Sequence, residues 1–335
     1  MATYDINAPL TLVEVARRKD PKGDPAIIAE ILDQTNEILQ DIPFVEANGA
    51  TFHRITRRTS LPSPEARRYN SGVGVGASTT ETVDEGMCML EKYAENDKAL
   101  IDLFEDKGAA RMQESRAFIE GFGQYVAQLL FGRTTTNFGD TAANKERIDG
   151  FPKRLHTLQA SGLVIDAGGT GTDTTSVYVV QWGKGKVYGI YPKGSQAGIQ
   201  HKDMGEVTVS RATTGSPETN QFQAYRDFFK WDMGLVVHDP RCVARIANIE
   251  STGTSNLFTE DLLIDAMTRM PNMGAGSVIY CNQFVMAQLW KRLKDKSNVF
   301  LSLDDLFGNK IKTLNLLGSP IRLAEQIGIT ETAIS

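Results

Sequence analysis

Cysteine is scarce: Cys88, Cys242 and Cys281 are the only three in 335 residues. They are odd in number, far apart and form no C-x-x-C pair. A disulfide framework and a cysteine-based zinc site are therefore excluded, and a reducing compartment is expected. Histidine is almost as rare. His53, His156, His201 and His238 are scattered, and none has a second metal ligand at helical spacing. Long apolar runs are missing as well. No stretch approaches the ~18 uninterrupted apolar residues of a membrane span, and the opening MATYDINAPLTLVEVARRKD lacks the basic end and apolar run of a secretory signal. Excess positive charge is also lacking. The formal net charge is −5, so a whole-molecule electrostatic grip on nucleic acid is not expected. The Walker lysine motif, H-E-x-x-H and G-x-S-x-G do not occur.

What is present suits a globular chain of about two domains with ample core. Ala26 to Leu39 carries a helical apolar pattern after Pro9, Pro21 and Pro25. It reads either as an arm with one short helix or as an N-terminal helix docked on its own core. Between Thr51 and Glu85 large apolar residues are sparse. Arg54, Arg57, Arg58, Arg67 and Arg68 flank Leu61-Pro62-Ser63-Pro64, and Gly72, Gly74 and Gly76 follow. Such a segment buries little surface by itself. A proline-bearing tip between polar arms predicts a long two-stranded projection, and an isolated hairpin is marginal in water, so this one needs a partner. A disordered surface loop is the other reading.

From Ala109 to Phe131 the period is helical, over about 35 Å. Phe118, Phe122, Tyr125 and Leu129 share a face. Gly121 and Gly123 weaken this helix by about 1 kcal/mol each, which predicts close backbone packing there. Residues 176–191 read as a hairpin turning at Gly183 to Lys186. Residues 229–237 alternate as a strand with one buried face. Thr259 and Asn282 are expected helix caps, Pro271 a helix stop, SVIYC at 277–281 a short buried strand, and Gly318-Ser319-Pro320 the entry to a last strand. The acid pairs Asp304-Asp305 and Glu260-Asp261 read as solvated helix starts, and His238-Asp239 as a turn or interface pair.

Two chemical readings compete with a purely structural one. The stretch Leu163-Val164-Ile165-Asp166-Ala167-Gly168-Gly169-Thr170-Gly171-Thr172 is similar to the phosphate loop of actin-like and sugar-kinase ATPases, in which the carboxylate, here Asp166, manages the metal. It sits mid-chain and has no second copy. The arginines from Arg54 to Arg68 would suit phosphates, yet they lack interleaved aromatics and have acids close by at Glu46, Glu65, Glu81, Asp84 and Glu85. Arginine–carboxylate contact with another subunit is the better use of them. No catalytic, cofactor or metal residue is singled out, and no enzyme is expected.

GKGKVYGIYPKGSQAGIQHKDMGE, followed by YRDFFKWDMGLVVHDPRCVARIANI, resembles the major capsid proteins of tailed double-stranded DNA bacteriophages of the HK97-like class, especially those of short-tailed phages related to epsilon15. TEDLLIDAMTRMP, SVIYCNQFVMAQLWKRLKD and LGSPIRL resemble the same family's ending. In many HK97-like proteins the aromatic block closes the chain, whereas here a helix-strand-helix block follows it. The resemblance implies an α+β fold with an N-terminal arm (1–43), an extended loop (44–92), a peripheral domain with a long spine helix (93–250) and an axial domain (251–335), the domains interleaved. It implies hexamers and pentamers closing an icosahedral shell in the virion, around DNA that is enclosed without sequence-specific binding. Portal, scaffold and cementing proteins would be partners, assembly would take place in the host cytoplasm, and neither membrane nor cofactor is implied. Under it, Arg54, Arg57, Arg58, Leu61, Pro62, Arg67 and Arg68 are expected subunit contacts, with Gly72, Gly74 and Gly76 as hinges.

Overall fold

The computed structural model describes residues 37–132, 148–158, 162–212, 219–253, 255–293, 301–305, 312–316 and 318–335. The expected helix at 26–39 falls mostly outside them; its end appears as a single turn, Ile38–Asp41. The strands are β1 (Phe44–Glu46), β2 (Phe52–Ser60), β3 (Thr79–Asp97), β4 (Val164–Asp166), β5 (Thr174–Val180), β6 (Val187–Tyr191), β7 (Gln200–Ala212), β8 (Thr219–Val237), β9 (Val243–Glu250), β10 (Val278–Cys281), β11 (Leu301–Asp305), β12 (Lys312–Leu316) and β13 (Ser319–Leu323). The helices longer than one turn are α1 (Lys107–Phe131), α2 (Glu260–Arg269) and α3 (Gln283–Leu293). One sheet has seven strands in the order β11-β12-β13-β10-β5-β9-β4. The other has six, β1-β6-β8-β3-β2, with β7 also on β8.

The chain divides into two compact units. One holds 89–126 and 198–232; the other holds 35–88, 127–197 and 233–335. In the larger unit the seven-stranded sheet is covered on both faces. Every residue of β5 is buried, as is all of β9 up to Ile249. Val177, Val179, Ala244, Ile246 and Ile279 face one way, against Leu263, Ala266 and Met267 of α2 and Val285 and Leu289 of α3. Tyr178 and Tyr280 face the other way, against Phe131 at the end of α1 and Phe151. Strand side chains alternate between faces, so both sets are apolar and the strands show no polar side. The buried Arg245 crosses this sheet. Its guanidinium donates to Ser176 Oγ, Leu155 O and Glu331 Oε2 at 3.0, 2.8 and 3.0 Å.

In the smaller unit β7 pairs antiparallel with β8. Phe118 of α1 stacks on Phe229, with centroids 5.3 Å apart, and Arg111 bridges Asp203 and Asp227 at 2.8 and 2.9 Å. On the opposite side, Arg226 meets Glu95 at 2.6 Å and Lys230 meets Glu91 at 3.5 Å.

Local signals read correctly. Thr259 accepts from Leu262 N, Asn282 Oδ1 accepts from Val285 N, and Pro271 follows the end of α2. Other expectations need correction. Residues 176–191 are not one hairpin: β5 and β6 belong to different sheets. The chain switches because Gln181 Nε2 is held by Pro271 O and Ala275 O, and Trp182 Nε1 donates to Tyr280 Oη. The 229–237 stretch has two buried faces rather than one, since β8 is internal and Asp232 and Val236 are also buried. The stripe on α1 is rotated: Phe122, Val126, Ala127, Leu130 and Phe131 are buried while Tyr125 is exposed, because the helix end is embedded in the aromatic cluster. Gly121 faces open space instead of a close neighbour. Asp304-Asp305 ends strand β11 and starts no helix.

Candidate assembly surface

β2 and β3 form an antiparallel ladder from Phe52↔Gly86 to Ser60↔Thr79, with a register shift near the tip. Alternation places Ile55 and Val83 inward, where they pack with Ala47, Tyr188, Ile190 and Val236. Beyond that small cluster cover ends abruptly: every residue from Arg58 to Thr82 is exposed. Residues 61–78 have no regular secondary structure apart from a turn at Tyr69-Asn70. At the neck of this tip, Thr79 Oγ1 bonds the hydroxyls of Thr59 and Ser60 at 2.8 and 2.7 Å. Inside it, Gly74 N donates to Glu65 at 3.3 Å, and Gly76 lies close against Pro62.

The expected contact residues divide into two groups. Arg54 and Arg57 are engaged within the chain. Arg54 makes a two-pronged pair with the cross-strand Asp84, both bonds 2.7 Å, which holds the Asp84 carboxyl below its ordinary value and Arg54 above its own. Arg57 donates to Val237 O and His238 O and lies 3.8 Å from Glu85. Arg58, Leu61, Pro62, Arg67 and Arg68 stand in solvent with Gly72, Gly74 and Gly76. Three exposed apolar side chains that sequence reasoning passed over join them: Tyr69, Val73 and Val75. The signal was there, since Val73 and Val75 sit between the expected hinge glycines.

Glu85 anchors the root of the ladder, receiving Arg154 Nη1 and Nη2 at 2.8 and 2.6 Å. Beside it His53 is held neutral. Its Nδ1 accepts from Asn48 N, and Nε2 lies 3.2 Å from Tyr188 Oη. Burial lowers its pKa, with repulsion from His238 adding and Glu85 opposing.

The glycine-rich stretch after Asp166 forms no phosphate loop. It leads from β4 to β5 without a helix whose N-terminus could receive an anion. Asp166 Oδ1 is occupied by Gly168 N and Asn248 Nδ2, both at 2.8 Å. Among the described residues no group of three His, Cys, Asp or Glu could hold a metal ion, and no helix is long and apolar enough to cross a membrane.

A polar ladder ending in an exposed tip with apolar residues is a contact device, and the comparisons agree. The family model for major capsid protein GP7 matches residues 20–335. A chain from the cryo-EM structure of bacteriophage epsilon15 is 30% identical, with 100% of this chain and 99% of that one covered and a TM-score of 0.73. A chain of the bacteriophage JBD30 capsid is 7% identical over 95% of this chain and 99% of its own; its TM-score of 0.47 carries no argument. No curated protein matches. The fold is that of an HK97-like capsid protein, α+β as expected, and the role is structural. Within that class, the chain belongs to the major capsid protein GP7 family.

Proposed function

We propose that copies of this chain assemble as hexamers and pentamers into an icosahedral shell, with the β2–β3 tip of one copy lying on its neighbour. The observation that carries this is the unbroken exposure from Arg58 to Thr82 together with Leu61, Tyr69, Val73 and Val75 on that stretch. A two-stranded ribbon with apolar residues in water is marginal alone and gains stability when covered. Arg58, Arg67 and Arg68 supply guanidinium forks for carboxylates of the next subunit. Gly72, Gly74 and Gly76 let the tip adjust between five-fold and six-fold settings. The segments 1–43, 44–92, 93–250 and 251–335 serve as arm, extended loop, peripheral domain and axial domain. The shell forms in the bacterial cytoplasm, with a portal, a scaffold and a cementing protein as further partners. It encloses double-stranded DNA without reading its sequence, and it catalyses nothing.

The test replaces residues 61–78 with a two-residue Asn-Gly turn, which keeps the ladder. The shortened chain is expected to fold and stay in solution but to yield no shells by sedimentation and electron microscopy. Shells of normal size and yield would overturn the reading.

A further inference from the structure

At the root of the ladder lies a cavity of about 260 Å³, lined by Arg57, Phe151, Arg154, Leu155, Val237, Pro240 and Val243. Its wall is apolar apart from two guanidinium groups. Those two share a single carboxylate, Glu85, which Arg154 takes by both oxygens. The other acids nearby are spoken for: Asp239 pairs with Arg241, and Asp149 with Lys153. One positive charge is left over, and it resides on Arg57. Arg57 is held in place by neutral partners, Nε and Nη2 donating to the carbonyls of His238 and Val237. Its Nη1 has no hydrogen bond among the described residues, although the side chain is only 22% exposed. A half-buried cation tied to carbonyls, with a free donor and an apolar cavity beside it, is matched by a carboxylate on a short hydrocarbon stem.

We propose that this cavity receives an aspartate or glutamate side chain from a second copy of the chain, whose carboxylate pairs with Arg57. The proposal rests on the shell reading above. It adds a defined receptor, and it gives Arg57 two roles, fixing the ladder root internally and reading charge on the neighbour. Charge complementarity chooses the occupant, because a neutral or basic side chain would leave the surplus guanidinium unpaired as water is expelled.

Three measurements test it on the full chain. In a cryo-EM reconstruction of assembled shells, a carboxylate from a neighbouring copy is expected within hydrogen-bond distance of Arg57 Nη1; an empty or uncharged cavity would overturn the proposal while leaving the shell reading intact. Arg57→Lys keeps the charge and Arg57→Gln keeps a donor without it. The lysine variant is expected to assemble near the wild-type yield and the glutamine variant at least tenfold less. Equal yields from the two would sink the idea. Should either variant fail to fold, the wild-type chain still decides. Glutarate, a small dicarboxylate, is expected to slow shell assembly saturably, whereas neutral glutaramide at the same concentration does not. Identical effects of the two probes would count against the site. A chain that forms no shells under any condition would remove the shell reading itself, and this inference with it.

Discussion

Glu85 and Arg154, 69 residues apart in the chain, meet fork to fork, Nη1 on Oε1 at 2.8 Å and Nη2 on Oε2 at 2.6 Å. The pair is largely buried, with 8% and 22% side-chain exposure. It ties the start of β3 to the single-turn helix Phe151–Arg154.

Removing one partner should therefore be costly. Arg154→Ala leaves Glu85 buried without its matched cation, and about 3 kcal/mol of stability should go. Arg68→Ala, on the exposed tip, should change stability by no more than ~0.5 kcal/mol. Urea denaturation of the unassembled chain separates the two, and equal effects would contradict the anchoring role.

His53 predicts a pH effect with a definite sign. Burial lowers this base's pKa below its ordinary 6.5. The unfolded chain therefore takes up the proton at higher pH than the folded one. Stability should be fully present above 6.5 and decline as pH falls from there to the folded value. The Asn48 N–H donated to Nδ1 gives the structural reason, since a protonated Nδ1 cannot accept it. The thermal midpoint of wild type should fall more steeply between pH 7.5 and 5.5 than that of His53→Gln. Parallel curves would rule this out.

Two glycines should respond in opposite directions to alanine. A Cβ on Gly150 would lie 2.3 Å from Leu129 O and 2.8 Å from Leu130 O, backbone atoms that cannot swing away. Gly150→Ala should cost ~2 kcal/mol or more through this overpacking. A Cβ on Gly121 meets nothing within 4 Å, in the interior of α1. Gly121→Ala should stabilise the unassembled chain by about 0.5–1 kcal/mol. Calorimetry of both variants checks the pair, and destabilisation by Gly121→Ala would show hidden packing at that face.

Arg245 and Glu331 offer a double-mutant test. Both are buried, and burial raises the Glu331 pKa against the pull of Arg245 and Ser176. Glu331→Gln strands the guanidinium and should cost about 3 kcal/mol, whereas Arg245→Met with Glu331→Leu should recover most of that loss. A double variant as unstable as the single one would mean that shape, and not charge balance, governs the site.

Short-range signals were legible in the chain because their chemistry spans only a few residues. Thr259 reaches Leu262 and Asn282 reaches Val285, so each cap is read from its own neighbourhood. The exposed projection was legible from missing apolar residues alone. Relations set by register across sheets were not. Arg57 looked like a free surface cation, yet it finds carbonyls 180 and 181 residues away. The β5–β6 turn looked like a hairpin because flanking valines and aromatics fit one, while the choice of sheet is made by Gln181 and Trp182 reaching residues about ninety positions further on. No local pattern encodes such a partner.

β3 runs unbroken from Thr79 beside the tip to Asp97. Tension applied at the tip therefore travels along one continuous backbone, parallel to the strands. Loaded in that direction, the bonds between β2 and β3 must give way together, whereas a peeling load would break them singly. A coat under internal pressure would be gripped by such struts where its subunits are pulled apart.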